Sequence, residues 1–211
     1  MVDKIKCERK IANDSNEYLI ALFKHMQSGG ELTESVPREL YNRARTAWRN
    51  KDYSEFELWE LGAIGFLASF GNKDFAGSYA KPNYRKTKNG IEYRDYYIES
   101  KNSLLKQVPL LKDIEFRCSD YHTLEEYAIS NVVIYCDPPY ANTTKYSNSG
   151  EFNHDEFWNT MRQWSDKGAI IYISELNAPD DFECIWKHEV NRCLDASNQQ
   201  RAVEKLFRYK G

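Results

Sequence analysis

Apolar positions along the chain recur with two different periods, and the period changes from segment to segment. Ile11 and Ala12 make a short apolar run that ends on Asn13 and Asp14. The segment after it, NEYLIALFKHMQSGG, places Leu19, Ile20, Phe23 and Met26 at helical spacing before a double glycine. This predicts a strand, an acidic turn and a helix. A second helix is expected over residues 37–50, which carry Arg38, Arg43, Arg45 and Arg49. A third is expected over 55–70, where the run LWELGAIGFLASF is apolar enough to lie in the core.

Between residues 71 and 99 no helical period is sustained. Glycines, a proline and clustered tyrosines predict irregular structure, with a hairpin at Lys88-Asn89-Gly90. A helix is expected again over 100–111. Short apolar runs follow at 114–118, 132–136 and 169–174, separated by helical segments, and this alternation predicts an α/β sheet. The closing stretches WKHEVNR and AVEKLFRYKG predict an antiparallel pair at the sheet edge. There is no internal repeat.

A chain of 211 residues can bury one substantial core with room for an inserted subdomain. With 29 Lys and Arg against 32 Asp and Glu, the net charge of -3 does not by itself recruit nucleic acid, so any such surface must be local. Five cysteines without CxxC spacing argue against a disulfide framework or a zinc cluster, and no metal is expected; the thiols are expected to be reduced and mostly buried. The charged start MVDKIKCERK and the shortness of the apolar runs predict a cytoplasmic protein without a membrane partner. The 15 tyrosines, 10 phenylalanines and 5 tryptophans fit an aromatic core, and aromatic rings also stack on bases.

The segment NVVIYCDPPYANTTKY carries the clearest chemistry. An apolar strand delivers Asp137 at its carboxyl end, where open α/β sheets bind ligands. Pro138 and Pro139 remove two amide donors and hold the backbone extended, leaving nearby carbonyl oxygens free to accept hydrogen bonds. That arrangement suits an amino group. The exocyclic amine of adenine is a weak nucleophile because its lone pair is delocalised into the ring. If the Asp137 carboxylate and the Pro138 carbonyl accepted its two hydrogens, the lone pair would be localised toward a methyl donor. Tyr140 would stack on a base swung out of the duplex. The plainer alternative is a strand-ending turn, since Asp and Pro are common there.

With these residues the chain resembles the Dam-type, D12 class family of bacterial and phage DNA adenine methyltransferases over most of its length. The resemblance implies a Rossmann-like, S-adenosylmethionine-dependent methyltransferase sheet with an inserted target-recognition subdomain. It also implies double-stranded DNA as substrate. ANDSN followed by EYLIALF resembles the family's second strand, so Asp14 inherits the binding of the cofactor's ribose hydroxyls; an Asp before a helix is also a common N-cap. FRCSDY resembles the strand end that meets the cofactor's adenine, which assigns Asp120 to its amino group and Tyr121 to its face, with a solvent-facing turn as the alternative. Asp137 is expected to reach the cofactor as well as the target base. KGAIIYISE and VEKLF resemble later scaffold strands.

On this resemblance, residues 1–36 and 106–211 form a discontinuous catalytic core and 37–105 the recognition insertion. Between Lys73 and Arg94 the insertion holds Lys73, Lys81, Arg85, Lys86, Lys88 and Arg94 against Asp74 and Glu92, a local charge of +4. Lys81, Arg85, Lys86, Lys88 and Arg94 are the expected DNA contacts, and a solvated polar loop is the alternative. Tyr79, Tyr84 and Tyr93 fit either a groove contact or packing. The family's first strand and glycine-rich loop have no counterpart ahead of VDKIKCERKIAND. The expectation is a truncated chain with an open sheet edge that favours self-association and with weak cofactor binding. A catalytically dead DNA-binding or interaction remnant is the competing reading. Cytosine amino-methylation, protein glutamine methylation and ring-carbon methylation fit less well, because the motif opens on Asp and no Pro-Cys pair exists.

Overall fold

A computed structural model describes residues 5–88, 90–140, 152–195 and 198–211, and the chain falls into two units, 1–121 and 122–211. In the first, Lys10–Asp14 forms strand β1. Asn16 then caps helix α1 (Glu17–Gln27), its side-chain oxygen accepting the amide of Leu19 at 3.0 Å. Helix α2 (Arg38–Asn50) starts behind Pro37 and stops at Lys51, which turns left-handed at φ 51°. Helix α3 (Leu58–Ala68) is apolar around its whole circumference and is enclosed accordingly, with Leu61, Ile64 and Leu67 all buried. It lies so close to α1 that a Cβ at Gly62 would fall 2.3 Å from the carbonyl oxygen of Tyr18.

The main core of this unit gathers Tyr18, Leu22 and Met26 of α1, Tyr41 and Trp48 of α2, the inner residues of α3, and Phe75. The buried hydroxyl of Tyr41 is satisfied by Ser69 Oγ at 2.8 Å and the Gly77 carbonyl at 3.1 Å. An antiparallel hairpin follows, β2 (Asn83–Thr87) with β3 (Gly90–Arg94), in the place expected; Asn89 of its turn lies outside the described residues. Helix α4 (Tyr96–Gln107) begins earlier than the expected residue 100, because Asp95 caps it by accepting the Ile98 amide. Strand β4 (Ile114–Cys118) then returns parallel to β1, in register from Lys10↔Ile114 to Asp14↔Cys118. Beneath this pair, Ile20, Leu111, Ile114 and Phe116 form a smaller core, with Phe23 stacked on Phe116.

In the second unit, β5 (Val133–Cys136) runs parallel to β6 (Ile170–Glu175), and the sheet order is β5-β6-β8-β7. The last two strands, β7 (Phe182–Asp195) and β8 (Asn198–Tyr209), are the expected antiparallel pair. β8 lies inside the sheet against β6, and β7 forms the edge. Helix α5 (His154–Asp166) is capped by Asn153 and buries Phe157, Trp158, Met161 and Trp164. The chain is therefore mixed α/β. Among the described residues β1 pairs only with β4, and β5 only with β6.

One expectation is corrected. Among the described side chains, Cys7, Cys118 and Cys184 are free but exposed, and Cys136 is the one partly buried cysteine; the side chain of Cys193 lies outside the description. Among the described residues, no helix is long and apolar enough to cross a membrane.

Candidate active site

Two groups of expected site residues occupy strand ends, one in each unit. In the first unit, the parallel pairing of β1 with β4 brings Asp14 level with Cys118, so that Asp120 and Tyr121 leave the sheet beside it. The two strand ends are tied by a reciprocal contact. The Asn13 amide donates to the Ser119 carbonyl at 2.9 Å, and the Ser119 hydroxyl donates to Asn13 Oδ1 at 2.8 Å. The Asp14 carboxylate accepts the Asn16 amide at 2.7 Å, and partial burial raises its pKa above the usual carboxylate value against the opposing effect of that hydrogen bond. Asp14 thus closes an Asx turn, while the helix cap itself is supplied by Asn16. Carboxylates at these adjoining strand ends are hydrogen-bond acceptors of the kind that a ribose diol and an amino group require.

In the second unit, β5 ends at Cys136 and the chain leaves the sheet through Asp137, Pro138, Pro139 and Tyr140. Asp137 is exposed, Pro138 buried and Tyr140 half-buried. The Tyr140 hydroxyl lies 2.9 Å from Ser174 Oγ on β6. Cys136 packs 3.6 Å from the Met161 sulfur, and burial first, then the neighbouring Asp137 charge, pushes its thiol up to about 12. A thiol raised this far is mostly protonated at neutral pH and therefore a poor nucleophile. The residues after Tyr140, including the expected ANTTKY continuation as far as position 151, lie outside the described residues.

The basic cluster maps to the hairpin. Lys81, Arg85, Lys86 and Lys88 are exposed. Arg85 stands opposite Glu92 across the strands, and Arg94 forms a two-pronged ion pair with Glu99 of α4, its Nε donating at 2.7 Å. One face of the hairpin carries Tyr84, Lys86, Ile91 and Tyr93; Tyr84 is 75% and Ile91 78% exposed, and the two tyrosine rings lie 5.3 Å apart. Tyr79 belongs elsewhere. It packs on Tyr41 and donates to the Val36 carbonyl at 2.9 Å, so its role is in the core. Asp74, counted with this cluster by position, is buried and has φ 54°.

Three residues escaped sequence reasoning. Asn13 and Ser119 lie beside recognised motifs, and their pairing needs the strand register. Ser174 sits in a segment that reads as scaffold.

Residues 2–172 match the family of D12 class N6 adenine-specific DNA methyltransferases, and the chain belongs to that family. A curated relative is the Type II methyltransferase M.MjaIII of Methanocaldococcus jannaschii, 22% identical over 196 residues. The match covers 88% of this chain and 66% of that protein, so the chain spans just under two thirds of the relative's length.

Proposed function

We propose that the protein transfers a methyl group from S-adenosylmethionine to the N6 amino group of adenine in double-stranded DNA. The observation that carries this reading is the exit of Asp137-Pro138-Pro139-Tyr140 from the carboxyl end of a parallel strand, in a chain that belongs to this family. The Asp137 carboxylate accepts one hydrogen of the target amine and the Pro138 carbonyl the other. The lone pair is thereby drawn out of conjugation and aimed along the line of transfer. Tyr140 stacks on the extruded base. When bound, S-adenosylmethionine supplies an electrophilic methyl group. Asp14 would hold its ribose hydroxyls, Asp120 its amino group and Tyr121 the face of its adenine.

The finer architecture belongs to the same proposal: a Rossmann-like sheet, with 37–105 as the target-recognition insertion. The open edges of β1 and β5 among the described residues suit a further parallel strand. Duplex phosphates would be met by Lys81, Arg85, Lys86 and Lys88, and the exposed Tyr84, Ile91 and Tyr93 give the hairpin an apolar face for a groove. The Arg94 guanidinium, engaged by Glu99, would act there by holding the hairpin against α4.

The test is incubation with a radiolabelled methyl donor and unmethylated duplex DNA. Label recovered as N6-methyladenine, and lost in Asp137→Ala, is the expected result; label on cytosine, or none, overturns the reading. Calorimetry should find that Asp14→Ala weakens donor binding at least about tenfold, since a hydrogen bond to a charged group contributes roughly 1.5–3 kcal/mol.

A second reading is DNA binding without transfer. It is favoured by the exposure of β5, where Val133 is 61% and Tyr135 38% accessible, although parallel strands are ordinarily covered on both faces. Salt-sensitive duplex binding with no incorporated label would select it.

A further inference from the structure

The side chains of β5 and β6 alternate between the two faces of the second unit's sheet. Ile171, Ile173 and Glu175 point to one side and are buried, 2%, 0% and 1% exposed. Tyr172 and Ser174 take the other side, where Tyr135 stands directly opposite Tyr172.

Ser174 presents its hydroxyl on this face. Its Oγ lies 2.9 Å from the Tyr140 hydroxyl. A serine hydroxyl carries one hydrogen and two acceptor lone pairs. It can therefore donate to the Tyr140 hydroxyl or accept from it, and the two side chains are joined by one hydrogen bond.

The link matters because of what the backbone does between its ends. Beyond Cys136 the chain has left the sheet, and Pro138 and Pro139 have no amide hydrogen with which to join a ladder. Tyr140 thus lies past the last residue that sheet hydrogen bonding can position. Its ring is fixed instead at the far end, through the para oxygen, to a serine on the neighbouring strand. A tether at that oxygen restricts the ring's swing without itself using the π faces. A ring meant only for packing would gain nothing from such a tether over a phenylalanine.

We propose that Ser174 is a positioning residue for the target base, setting the plane of Tyr140 through a hydrogen bond between the two hydroxyls. This rests on the reading that Tyr140 faces an extruded base. Ser174 touches neither the base nor the methyl donor, and it acts by keeping one ring orientation populated, so its contribution falls on turnover and not on the capture of DNA.

The experiment measures methyl transfer to pooled unmethylated duplexes by the full chain and its variants, together with the emission of duplexes in which 2-aminopurine replaces adenine. Ser174→Ala and Tyr140→Phe are each expected to lower kcat about tenfold, the worth of one hydrogen bond, with KM for DNA within about twofold. The double variant should be no slower than either single one. Ser174→Thr, which keeps the hydroxyl, should restore most of the rate. In the 2-aminopurine duplexes, both single variants should leave the bound base brighter than the wild type does, because a loosened ring stacks less and quenches less. Melting temperatures taken in parallel separate this from loss of fold.

If wild type transfers methyl groups and Ser174→Ala matches it in kcat and in 2-aminopurine emission, the bridge has no such role and the proposal alone is overturned. Additive losses in the double variant, or no rescue by threonine, overturn it too. If wild type neither methylates adenine nor changes the emission of the duplexes, the underlying reading fails, and this proposal with it.

Discussion

Asn13 and Ser119 exchange two hydrogen bonds across the carboxyl ends of β1 and β4, one from the amide at 2.9 Å and one from the hydroxyl at 2.8 Å. Each residue precedes an expected ligand of the methyl donor, Asp14 on one strand and Asp120 on the other. Asn13→Ala removes both bonds and is expected to cost about 1–2 kcal/mol in chemical denaturation. Ser119→Ala removes only the hydroxyl's bond and should cost roughly half as much, and the double variant should equal Asn13→Ala alone. Additive losses would show that the two side chains do not act as a pair.

Asp74 makes stability depend on pH. Its carboxyl is 8% exposed, its Oδ1 has no hydrogen-bond partner, and burial raises its pKa from 3.8 to about 6 against the lowering effect of hydrogen bonds from the Phe75 amide and the Asn16 side chain. Below 3.8 the group is protonated in folded and unfolded chains alike and costs nothing. As pH rises from 3.8 through about 6 the unfolded chain ionises first, so the folded state loses stability across that window and the loss is complete above it. Asp74→Asn, which keeps the shape and tolerates the left-handed backbone, should therefore stabilise the protein at pH 8 by up to about 3 kcal/mol and hardly at all at pH 3.5. Thermal melts across this range check it, and an equal gain at both ends would count against the burial argument.

Gly62 sets the distance between α1 and α3. A methyl group there would meet the Tyr18 carbonyl oxygen at 2.3 Å, a backbone atom that cannot turn aside. Gly62→Ala should lower stability by at least about 2 kcal/mol despite the better helix propensity of alanine. Denaturant titration would refute this if the variant matched wild type.

The hairpin predicts a salt dependence. If Lys81, Lys86 and Lys88 contact phosphates, replacing all three with alanine should reduce the slope of log affinity against log salt by up to about 3, at roughly 0.9 per contact. Fluorescence anisotropy with a labelled duplex at several salt concentrations measures it. An unchanged slope would move the DNA surface elsewhere.

What could be read from the chain was what repeats or ends locally. The period of Leu19, Ile20, Phe23 and Met26 marked α1, the apolar run marked α3 as core, and Asp137 stood out because two prolines follow a strand. Helix α4 was placed too late because Tyr96 and Tyr97 sit in a tyrosine-rich stretch without helical period, and its start is set by the cap at Asp95. Arg94 read as a free cation, although Glu99 lies only five positions on; pattern alone does not say which way a hairpin leans on the next helix. Asn13 and Ser119, 106 positions apart, and Tyr140 and Ser174, 34 apart, meet only once the strands that carry or precede them have paired. Long-range polar pairs leave no local signal. The carboxylates could thus be expected from the sequence, while the side chains that hold the strand ends and Tyr140 in place could not.

The pairing of β1 with β4 also says something about order in time. Closing a loop of that length costs about 4 kcal/mol of chain entropy before any strand contact repays it. Helices α1 to α4 and the hairpin all lie inside the loop, and most of their contacts are local by comparison. The helical body should therefore condense first and draw the two strand ends together last. The same ends would be the first to part in partial unfolding, and a small molecule seated on Asp14 and Asp120 would slow that opening. Hydrogen exchange should find the amides of β1 and β4 less protected than those of α3 in the bare protein, with the gap narrowing when donor is added.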